Sequence, residues 1–422
     1  MYTYIKYIIV PVTLFFPTCG FMCAQETFRT EILRDDIKSL EIKVDGELLS
    51  EPYIELNGEK RIKIIFDALH HSSGRFACSV IHCDADWKRS ALLPVEYMNG
   101  FRHVAIEDFA NSINTTTHYT NYRIFFPNED IQFTVSGNYA VQVYNEDDTD
   151  DIIFTACFSV VEPLVEIDAS ISGNTDIDFN KAHQQIDFTI DRTNINIAYP
   201  QNDLKIFVYR NNNRTDIRSD IQPLTITGKQ IQYRHNRDLI FEAGNEYRRI
   251  EFPTHRYNGM GVEHTGFYNP YYHVTLFREQ KRGKNGYLYD QDQNGRFFIR
   301  CSECRDPDTE ADYCIVHFSL TSTLMHGGDV YLAGDLFNNI FDDRSRMHYD
   351  AETGAYGKSV MLKQGLYNYH YAFVEEGAAK PALAETEGNF FETENEYTVA
   401  VYYRPNGGRY DRLIGVKTVG GR

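Results

Sequence analysis

Residues 136–144 read Ser-Gly-Asn-Tyr-Ala-Val-Gln-Val-Tyr, a turn glycine followed by a run of strand-forming residues. Apolar runs of this length with a two-residue period, bounded by turn residues, are typical of β-strands. Residues 243–247 (Ala-Gly-Asn-Glu-Tyr) and 364–367 (Gln-Gly-Leu-Tyr) begin in the same way. The pattern therefore predicts a strand at Tyr139–Tyr144 and comparable strands after Gly244 and Gly365.

A turn glycine with a tyrosine just behind it resembles the tyrosine corner of immunoglobulin-like sandwiches. In that corner the phenol packs on the core and its hydroxyl bonds back to the chain. Gly137, Gly244 and Gly365 are spaced by about 110 residues, roughly the length of one sandwich. We therefore expect three β-sandwich domains in tandem, at 25–162, 163–308 and 309–422.

The composition supports an all-β fold and excludes several classes of protein. The chain has 422 residues, 42% of them hydrophobic, with 28 glycines and 13 prolines, so it is neither disordered nor collagen-like. It has 30 tyrosines and 28 phenylalanines but one tryptophan, and aromatic residues favour pleated sheets. Its formal net charge of −18 argues against general nucleic-acid binding, which needs cations that neutralise phosphates.

The first 24 residues have the features of an export signal, a signal peptide at 1–24. Lys6 is their only charge, an apolar run covers Tyr7–Phe16, and Ala24 supplies a small residue at the expected cleavage point. Prolines and a glycine interrupt the run, so it does not read as a transmembrane span. Lipidation at Cys19 or Cys23 stays open as an alternative. We expect an exported protein that is soluble or peripherally attached.

The cysteines that follow the leader could form disulfides or a metal site. They are Cys78, Cys83, Cys157, Cys301, Cys304 and Cys314. An even number in an oxidising compartment permits disulfides. The Cys-Ser-Glu-Cys run at 301–304 with Cys314 would supply half of a zinc site, but no second Cys-x-x-Cys or His-x-His completes it. A loop disulfide or free buried thiols are the favoured interpretation, and the pairing stays open.

Residues 290–295 (Asp-Gln-Asp-Gln-Asn-Gly) match the first half of a calcium loop, with oxygen ligands at alternate positions and a glycine at the sharp turn. Cys301 occupies the position at which a bidentate Glu would close that site. Strands rather than helices are expected on both sides of the run. A β-hairpin with Asn294-Gly295 at its tip is therefore the better interpretation.

A second conceivable metal site lies at His82, Asp84 and Asp86, which would share one face of a strand. Polar residues at a strand end beside a buried Trp87 are, however, ordinary. The sequence has no Gly-x-Ser-x-Gly elbow, no HExxH and no phosphate loop. Paired carboxylates for sugar hydrolysis are spatial and leave no sequence motif, so a glycosidase stays an alternative. We predict a protein that is not an enzyme, with no catalytic, cofactor-binding or metal-binding residues.

Two aromatic clusters have two possible roles. They are residues 267–272 (Phe-Tyr-Asn-Pro-Tyr-Tyr) and the pair Tyr402-Tyr403. Tyrosine is favoured where one end of the ring is wet and the other packed, so both clusters suit binding platforms for sugars or protein partners. Both suit sandwich interiors equally well.

Several strings of sequence, in order along nearly the whole mature chain, resemble the plug protein family of the type IX secretion system of Bacteroidetes. In the first predicted domain they are His82-Cys83 with Asp86-Trp87, Asn114-Thr115, 119–122 (Tyr-Thr-Asn-Tyr), 126–128 (Phe-Pro-Asn) and 136–139 (Ser-Gly-Asn-Tyr). The middle region adds 244–248 (Gly-Asn-Glu-Tyr-Arg) and 292–297 (Asp-Gln-Asn-Gly-Arg-Phe). The strongest match is C-terminal, at 393–397 (Thr-Glu-Asn-Glu-Tyr), 401–404 (Val-Tyr-Tyr-Arg) and 409–415 (Arg-Tyr-Asp-Arg-Leu-Ile-Gly).

This resemblance implies a periplasmic protein, associated with the outer membrane through its partner, the translocon barrel of the secretion system. It would seat on the inner mouth of that barrel and close the channel when no folded cargo is passing. The resemblance carries over no catalytic residue, cofactor, small-molecule substrate or nucleic acid. A reversible seal suits a partly polar interface with a few aromatic anchors.

Residues 330–338 (Val-Tyr-Leu-Ala-Gly-Asp-Leu-Phe-Asn), within 330–373, also look like the starch-recognition type of early-set β-sandwich. The tryptophan that often stacks on sugar in that family is replaced here by Asn339-Ile340-Phe341, so this likeness implies the fold and not carbohydrate affinity. Two alternatives stay open. One is a carbohydrate-binding surface protein, and the other is a secreted cargo of the same system, whose C-terminal signal ends in basic residues such as Lys417 and Arg422.

Overall fold

The structure is a computed structural model that describes residues 26–70, 74–378 and 380–420, so the predicted signal peptide at 1–24 lies outside the described residues. About 49% of the chain is strand and 5% is helix, in several antiparallel sheets, which confirms the all-β sandwich fold. The described α-helices are α1 (Pro94–Tyr97), α2 (Pro200–Asp203) and α3 (Pro307–Glu310). Short 3-10 helices also occur at Arg237–Leu239 and Asp335–Phe337. Within the described ranges no helix has the length and apolarity that a membrane crossing needs.

The first sandwich is built from twelve strands. They are β1 (Glu31–Ile32), β2 (Ile37–Val44), β3 (Tyr53–Glu55), β4 (Ile62–Ala68), β5 (Phe76–Cys83), β6 (Met98–Gly100), β7 (Val104–Ala105), β8 (Phe109–Asn111), β9 (Thr120–Phe126), β10 (Ile131–Phe133), β11 (Gly137–Asn145) and β12 (Asp148–Val161). One sheet has the order β1-β12-β11-β5-β7 with β3 on β12, and the facing sheet has the order β2-β4-β9-β8. Alternating residues of β4, β9 and β11 meet between the sheets, and Phe66, Tyr122 and Tyr139 are fully buried there.

The middle part of the chain begins a second sandwich. Its strands are β13 (Glu166–Ser172), β14 (His183–Asp191), β15 (Leu204–Arg210), β16 (Asn213–Arg218), β17 (Thr225–Ile226), β18 (Gln230–Tyr233) and β19 (Ile240–Glu242). One sheet has the order β13-β14-β18-β17, with β19 on β14. Phe188 of β14 and Val208 of β15 face one core. β15 and β16 belong to a second sheet, whose other strands come from the C-terminal end of the chain.

The third sandwich follows directly. Its strands are β20 (Arg248–Glu251), β21 (Val262–Tyr268), β22 (Tyr271–Leu276), β23 (Glu279–Gln280), β24 (Phe297–Ile299), β25 (Tyr313–Thr321), β26 (Gly328–Ala333), β27 (His348–Asp350), β28 (Ala355–Lys363) and β29 (Gly365–Glu375). A sheet of order β20-β29-β24, with β26 on β29, packs on a sheet of order β21-β22-β25-β28-β27. The core between them includes Val316, Leu332 and Tyr369, each almost fully buried.

The last two strands return to the middle sandwich. β30 (Glu396–Tyr403) pairs with β15 from Tyr397 to Tyr403, and β31 (Arg412–Gly420) pairs with β30, giving a sheet of order β16-β15-β30-β31. The third sandwich is thus inserted into the second, which corrects the predicted divisions at 163–308 and 309–422. The physical reason is burial: Val399 and Val401 fill the same core as Val208, and a middle sandwich that ended at 308 would leave that core open.

The predicted tyrosine corners form at two of the three positions. The hydroxyl of Tyr139 donates to the carbonyl of Val135 at 2.7 Å, and that of Tyr367 donates to the carbonyl of Lys363 at 2.6 Å. Each bond reaches back four residues, as the corner requires. Tyr247 instead stacks on His370 with ring centroids 3.8 Å apart. The prediction at Gly244 was therefore wrong, because that glycine lies where the chain leaves the second sandwich for the third.

Candidate functional site

The first candidate metal site is a disulfide. Cys301 and Cys304 are bonded, with Cα atoms 5.3 Å apart, and Cys314 is a free buried thiol. The loop disulfide was one of the favoured interpretations, and it removes two of the three thiolates that a zinc site would use. Among the described residues, no three His, Cys, Asp or Glu side chains are grouped so that they could hold a metal ion.

Cys78, Cys83 and Cys157 are also free and buried. Cys83 lies on β5 and Cys157 on β12, and both strands flank β11. Two strand spacings amount to about 9.6 Å, which exceeds the Cα separation that a disulfide tolerates. Burial raises the pKa of Cys78 to about 12 and also raises the pKa of Cys83, so these two thiols are packing residues rather than nucleophiles.

The structure does not bring His82, Asp84 and Asp86 together. His82 is 1% exposed, and its nitrogens lie 2.8 Å from Ser90 Oγ and 3.2 Å from the carbonyl oxygen of Ser136. Burial lowers the pKa of His82 to about 4, so the ring is neutral at pH 7. The strand ends at Cys83, after which Asp84 pairs with Arg404 and Asp86 with Lys88.

The acidic run at 290–295 forms a turn and not a hairpin. Asn294 and Gly295 both have positive φ, as expected for the Asn-Gly signal, but no strand precedes them between residues 281 and 296. The carboxylate of Asp292 accepts hydrogen bonds from the backbone amides of Tyr247 and Asn294. Burial raises the pKa of Asp292 to about 7 despite these bonds. The hydrogen bonds of the Asp292 carboxylate therefore hold the backbone of this loop in place.

The two aromatic clusters have opposite environments. Phe267 and Tyr268 end the edge strand β21, and their side chains are 52% and 60% exposed. Tyr402 lies on the central strand β30 and is 1% exposed, with Tyr403 beside it half-buried. The hydroxyl of Tyr402 donates to Asn138 Oδ1 of the first sandwich at 2.8 Å. Only the first cluster is available to a partner.

Residues of the strings singled out in the sequence meet where the first and second sandwiches join. Besides the Tyr402–Asn138 bond, the backbone amide of Ala85 donates to Asp411 Oδ2 at 3.0 Å, and Arg404 pairs with Asp84 at 2.8 Å. A Cβ on residue 137 would lie 3.3 Å from the backbone oxygen of Asp411 across the joint and 2.4 Å from His82 Nε2 within its own sandwich, so glycine fits best here. The strings at 82–87, 136–139, 401–404 and 409–415 therefore join the first two sandwiches, a role that the sequence alone did not reveal.

All three sandwiches meet around Glu51 of the first. Arg296 of the third sandwich bonds Glu396 of the second at 2.6 Å and approaches Glu51 to 3.5 Å. Thr398 of the second sandwich donates to Glu51 at 3.0 Å. Arg296 contacts the first and second sandwiches, and Glu51 contacts the second and third. Moving any one sandwich relative to the other two would therefore break contacts at this point.

The first and third sandwiches are joined by a buried ion pair, which we call the Asp67 contact: Asp67, Tyr313 and Lys363. Lys363 Nζ lies 2.7 Å and Tyr313 Oη 2.6 Å from Asp67 Oδ2, and both ionic side chains are 1% exposed. Asn121 donates to the second oxygen at 2.8 Å, and Lys363 also donates to the carbonyl of Asp308 at 2.7 Å. This contact satisfies the charges that it buries, so it is a rigid joint.

This chain is similar to a known family model and to solved structures. The family model for the first domain of type 9 secretion system plug proteins matches residues 37–162, which contain β2 to β12. A solved structure of a hypothetical protein from Parabacteroides merdae is 58% identical, with a TM-score of 0.93, and the match covers 94% of this chain and 100% of that chain. No curated protein matches.

Proposed function

Because this chain belongs to the type IX secretion system plug protein family, we propose that it is a non-enzymatic periplasmic plug that seals the periplasmic end of the outer-membrane translocon channel. The observation that carries this proposal is the family match over residues 37–162. The fold is compatible with it, because an all-β body whose described residues gather no metal-binding group acts most simply by binding.

A plug for a channel that passes folded proteins has to be broad and stiff, because a flexible cap would leak small solutes. The buried joints supply that stiffness. The Asp67 contact and the Arg296–Glu396 pair each link two sandwiches through charges that are largely withdrawn from water. Charged groups held in this way keep one geometry, since separating them would leave a buried charge unpaired.

The most suitable anchor for a partner is the tip of the β21–β22 hairpin. Phe267 and Tyr268 project there from an edge strand, and Tyr268 packs edge-on against His273 with centroids 5.4 Å apart. Exposed aromatic side chains held by neighbours are the residues that dominate protein–protein contacts. We therefore propose this tip as one contact with the translocon.

Affinity purification of the outer-membrane translocon tests the proposal. A plug should co-purify with the barrel, and deletion of its gene should make cells sensitive to large antibiotics that normally do not cross the outer membrane. Complementation with the full chain should restore resistance. The proposal fails if deletion changes neither permeability nor the composition of the purified translocon.

The two remaining alternatives give different outcomes in the same strains. A cargo protein would lose its C-terminal signal region on secretion, so mass spectrometry of the mature chain that still finds β31 argues against cargo. A carbohydrate-binding surface protein would be digested when intact cells are treated with protease. A periplasmic plug would be protected.

A further inference from the structure

A cavity of about 510 Å³ lies where the three sandwiches meet, and we call it the three-way cavity. The first sandwich lines it with Phe28 and Trp87, the second with Phe207 and Arg214, and the third with Asp335 and others. Its volume falls within the range typical of small-ligand sites. Arg296, which bonds Glu396, also lines the cavity, whereas Arg214, Trp87 and Asp335 take no part in the joints around Glu51 and Asp67.

Arg214 is a cation without a counter-ion. Its guanidinium lies 3.4 Å from the ring centroid of Trp87, and its Nη1 is buried without a hydrogen-bond partner. Its guanidinium also interacts with the Cys157 thiol, but it has no ion pair and no oxygen acceptor within the described ranges. A buried donor that lacks an acceptor is costly. An anionic oxygen placed next to Arg214 would satisfy this buried donor.

Asp335 is the matching anion on the third sandwich. Its carboxylate has neither a hydrogen bond nor an ion pair with any residue in the described ranges. Burial raises the pKa of Asp335 to about 6, although the charge of Arg296 opposes the shift. A carboxylate in such a position gains from a cation or an N–H donor.

Trp87 is held in a strained backbone conformation between these groups. Its φ is +63°, in the left-handed region that a bulky side chain rarely occupies. The strain places the ring against Arg214 and beside the cavity. Residues held in this way tend to occur where a ligand is clamped.

From these observations we propose that the three-way cavity binds a small zwitterion of the amino-acid or short-peptide type. The ligand's carboxylate binds Arg214, its ammonium group binds Asp335, and an apolar side chain lies against Phe207 and Phe297. Both unpaired protein charges are then paired, and the aromatic lining is covered. Because the ligand would touch all three sandwiches, binding would also stiffen the joints between them. The proposal does not depend on the plug function.

Calorimetric titration of the full chain tests the proposal, with the dipeptide Leu-Phe and the tripeptide Leu-Gly-Phe as probes. Trp87 is the chain's only tryptophan, so its fluorescence reports on the same site without labelling. We expect saturable binding of at least one probe and a shift in Trp87 emission. We expect N-acetylated or C-amidated forms of that probe to bind about tenfold or more weakly, since each lacks one charge.

Two variants and a matched control locate the ligand. Arg214→Gln and Asp335→Asn should each weaken binding about tenfold or more. Arg29→Gln should not, because Arg29 also lines the cavity but is already paired with Glu31 at 2.8 Å. Circular dichroism melts check that each variant is folded. No heat and no emission change at millimolar probe, equal binding of capped probes, or binding that survives both variants would each overturn the proposal.

Discussion

Sandwiches meet both at the Asp67 contact and at the three-way cavity. Charged side chains are paired in the contact, whereas two of those in the cavity are unpaired. In the contact, Asp67, Tyr313 and Lys363 satisfy one another and water is excluded. In the cavity, Arg214 and Asp335 remain unpaired beside an open volume of about 510 Å³. The difference separates two tasks. One junction fixes the relative position of the sandwiches, and the other has room and unmet charge for a ligand.

The largest predicted effect comes from breaking the closed junction. Lys363→Met leaves Asp67 charged and buried, because Asn121 and Tyr313 cannot neutralise it. We expect a loss of about 3–5 kcal/mol in the free energy of unfolding, measured by chemical denaturation. The double variant Asp67→Asn/Lys363→Met should lose much less, since it buries no unpaired charge. Equal losses for the single and double variants would show that the Asp67–Lys363 ion pair does not hold the first and third sandwiches together.

Asp335→Asn tests the open junction by stability and pH. The folded-state pKa of Asp335 is raised to about 6 from an ordinary value of 3.8, so the folded state binds the proton more tightly than the unfolded state. Wild-type stability should therefore gain from this group as pH falls from about 7 to 4. The variant lacks that gain and should be more stable at pH 7 by roughly 1–3 kcal/mol.

Thermal melts between pH 4 and pH 7 check this prediction as a difference between variant and wild type. Asp343→Asn is the matched control, because Asp343 is near in sequence but its side chain is 88% exposed. The control should follow the wild type at every pH. A variant–wild-type difference that does not change with pH would contradict the unpaired state of Asp335.

Arg214→Lys keeps the charge at the open junction but removes the planar group that stacks on Trp87. The stacking distance of 3.4 Å predicts a loss of about 1 kcal/mol in the free energy of unfolding. The emission maximum of Trp87 should shift as well, because the ring loses its cover. Unchanged stability together with unchanged emission would mean that the stacking does not form in solution.

The smallest effect on stability is expected at the exposed hairpin tip. Phe267→Ser/Tyr268→Ser removes side chains that are more than half exposed, so the free energy of unfolding should change by less than about 0.5 kcal/mol. Co-purification with the translocon should nevertheless fall sharply. Tyr199→Ser, at a tyrosine that is 64% exposed on the second sandwich, is the control and should co-purify normally. Normal recovery of the double variant would exclude the tip as a contact.

The fold class could be predicted from sequence because a strand leaves a local pattern. Alternation and turn residues identified the run Tyr139–Tyr144, which lies within β11, and the glycine–tyrosine pattern correctly predicted the corners at Tyr139 and Tyr367. The likeness to the plug family was also visible in short strings. Each of these features depends on neighbouring residues only.

The inserted third sandwich could not be predicted because strand pairing is a long-range choice. β30 has the same alternation whether its partner is β15 or a strand of the third sandwich, and nothing local distinguishes them. The turn at Gly244 has the sequence pattern of a tyrosine corner but does not form one. It therefore supported the wrong division of the chain at residue 308. The joints and the three-way cavity were hidden for the same reason, since Asp67 and Lys363, or Arg214 and Asp335, are far apart in sequence.

The proposed plug has to be a rigid body that closes the channel by its shape. Conductance of the purified translocon in a planar bilayer, recorded before and after addition of the full chain to the periplasmic side, measures this directly. Conductance should fall nearly to that of the bare bilayer and recover when the protein is washed away. An open-channel conductance that persists at saturating protein would contradict this proposal.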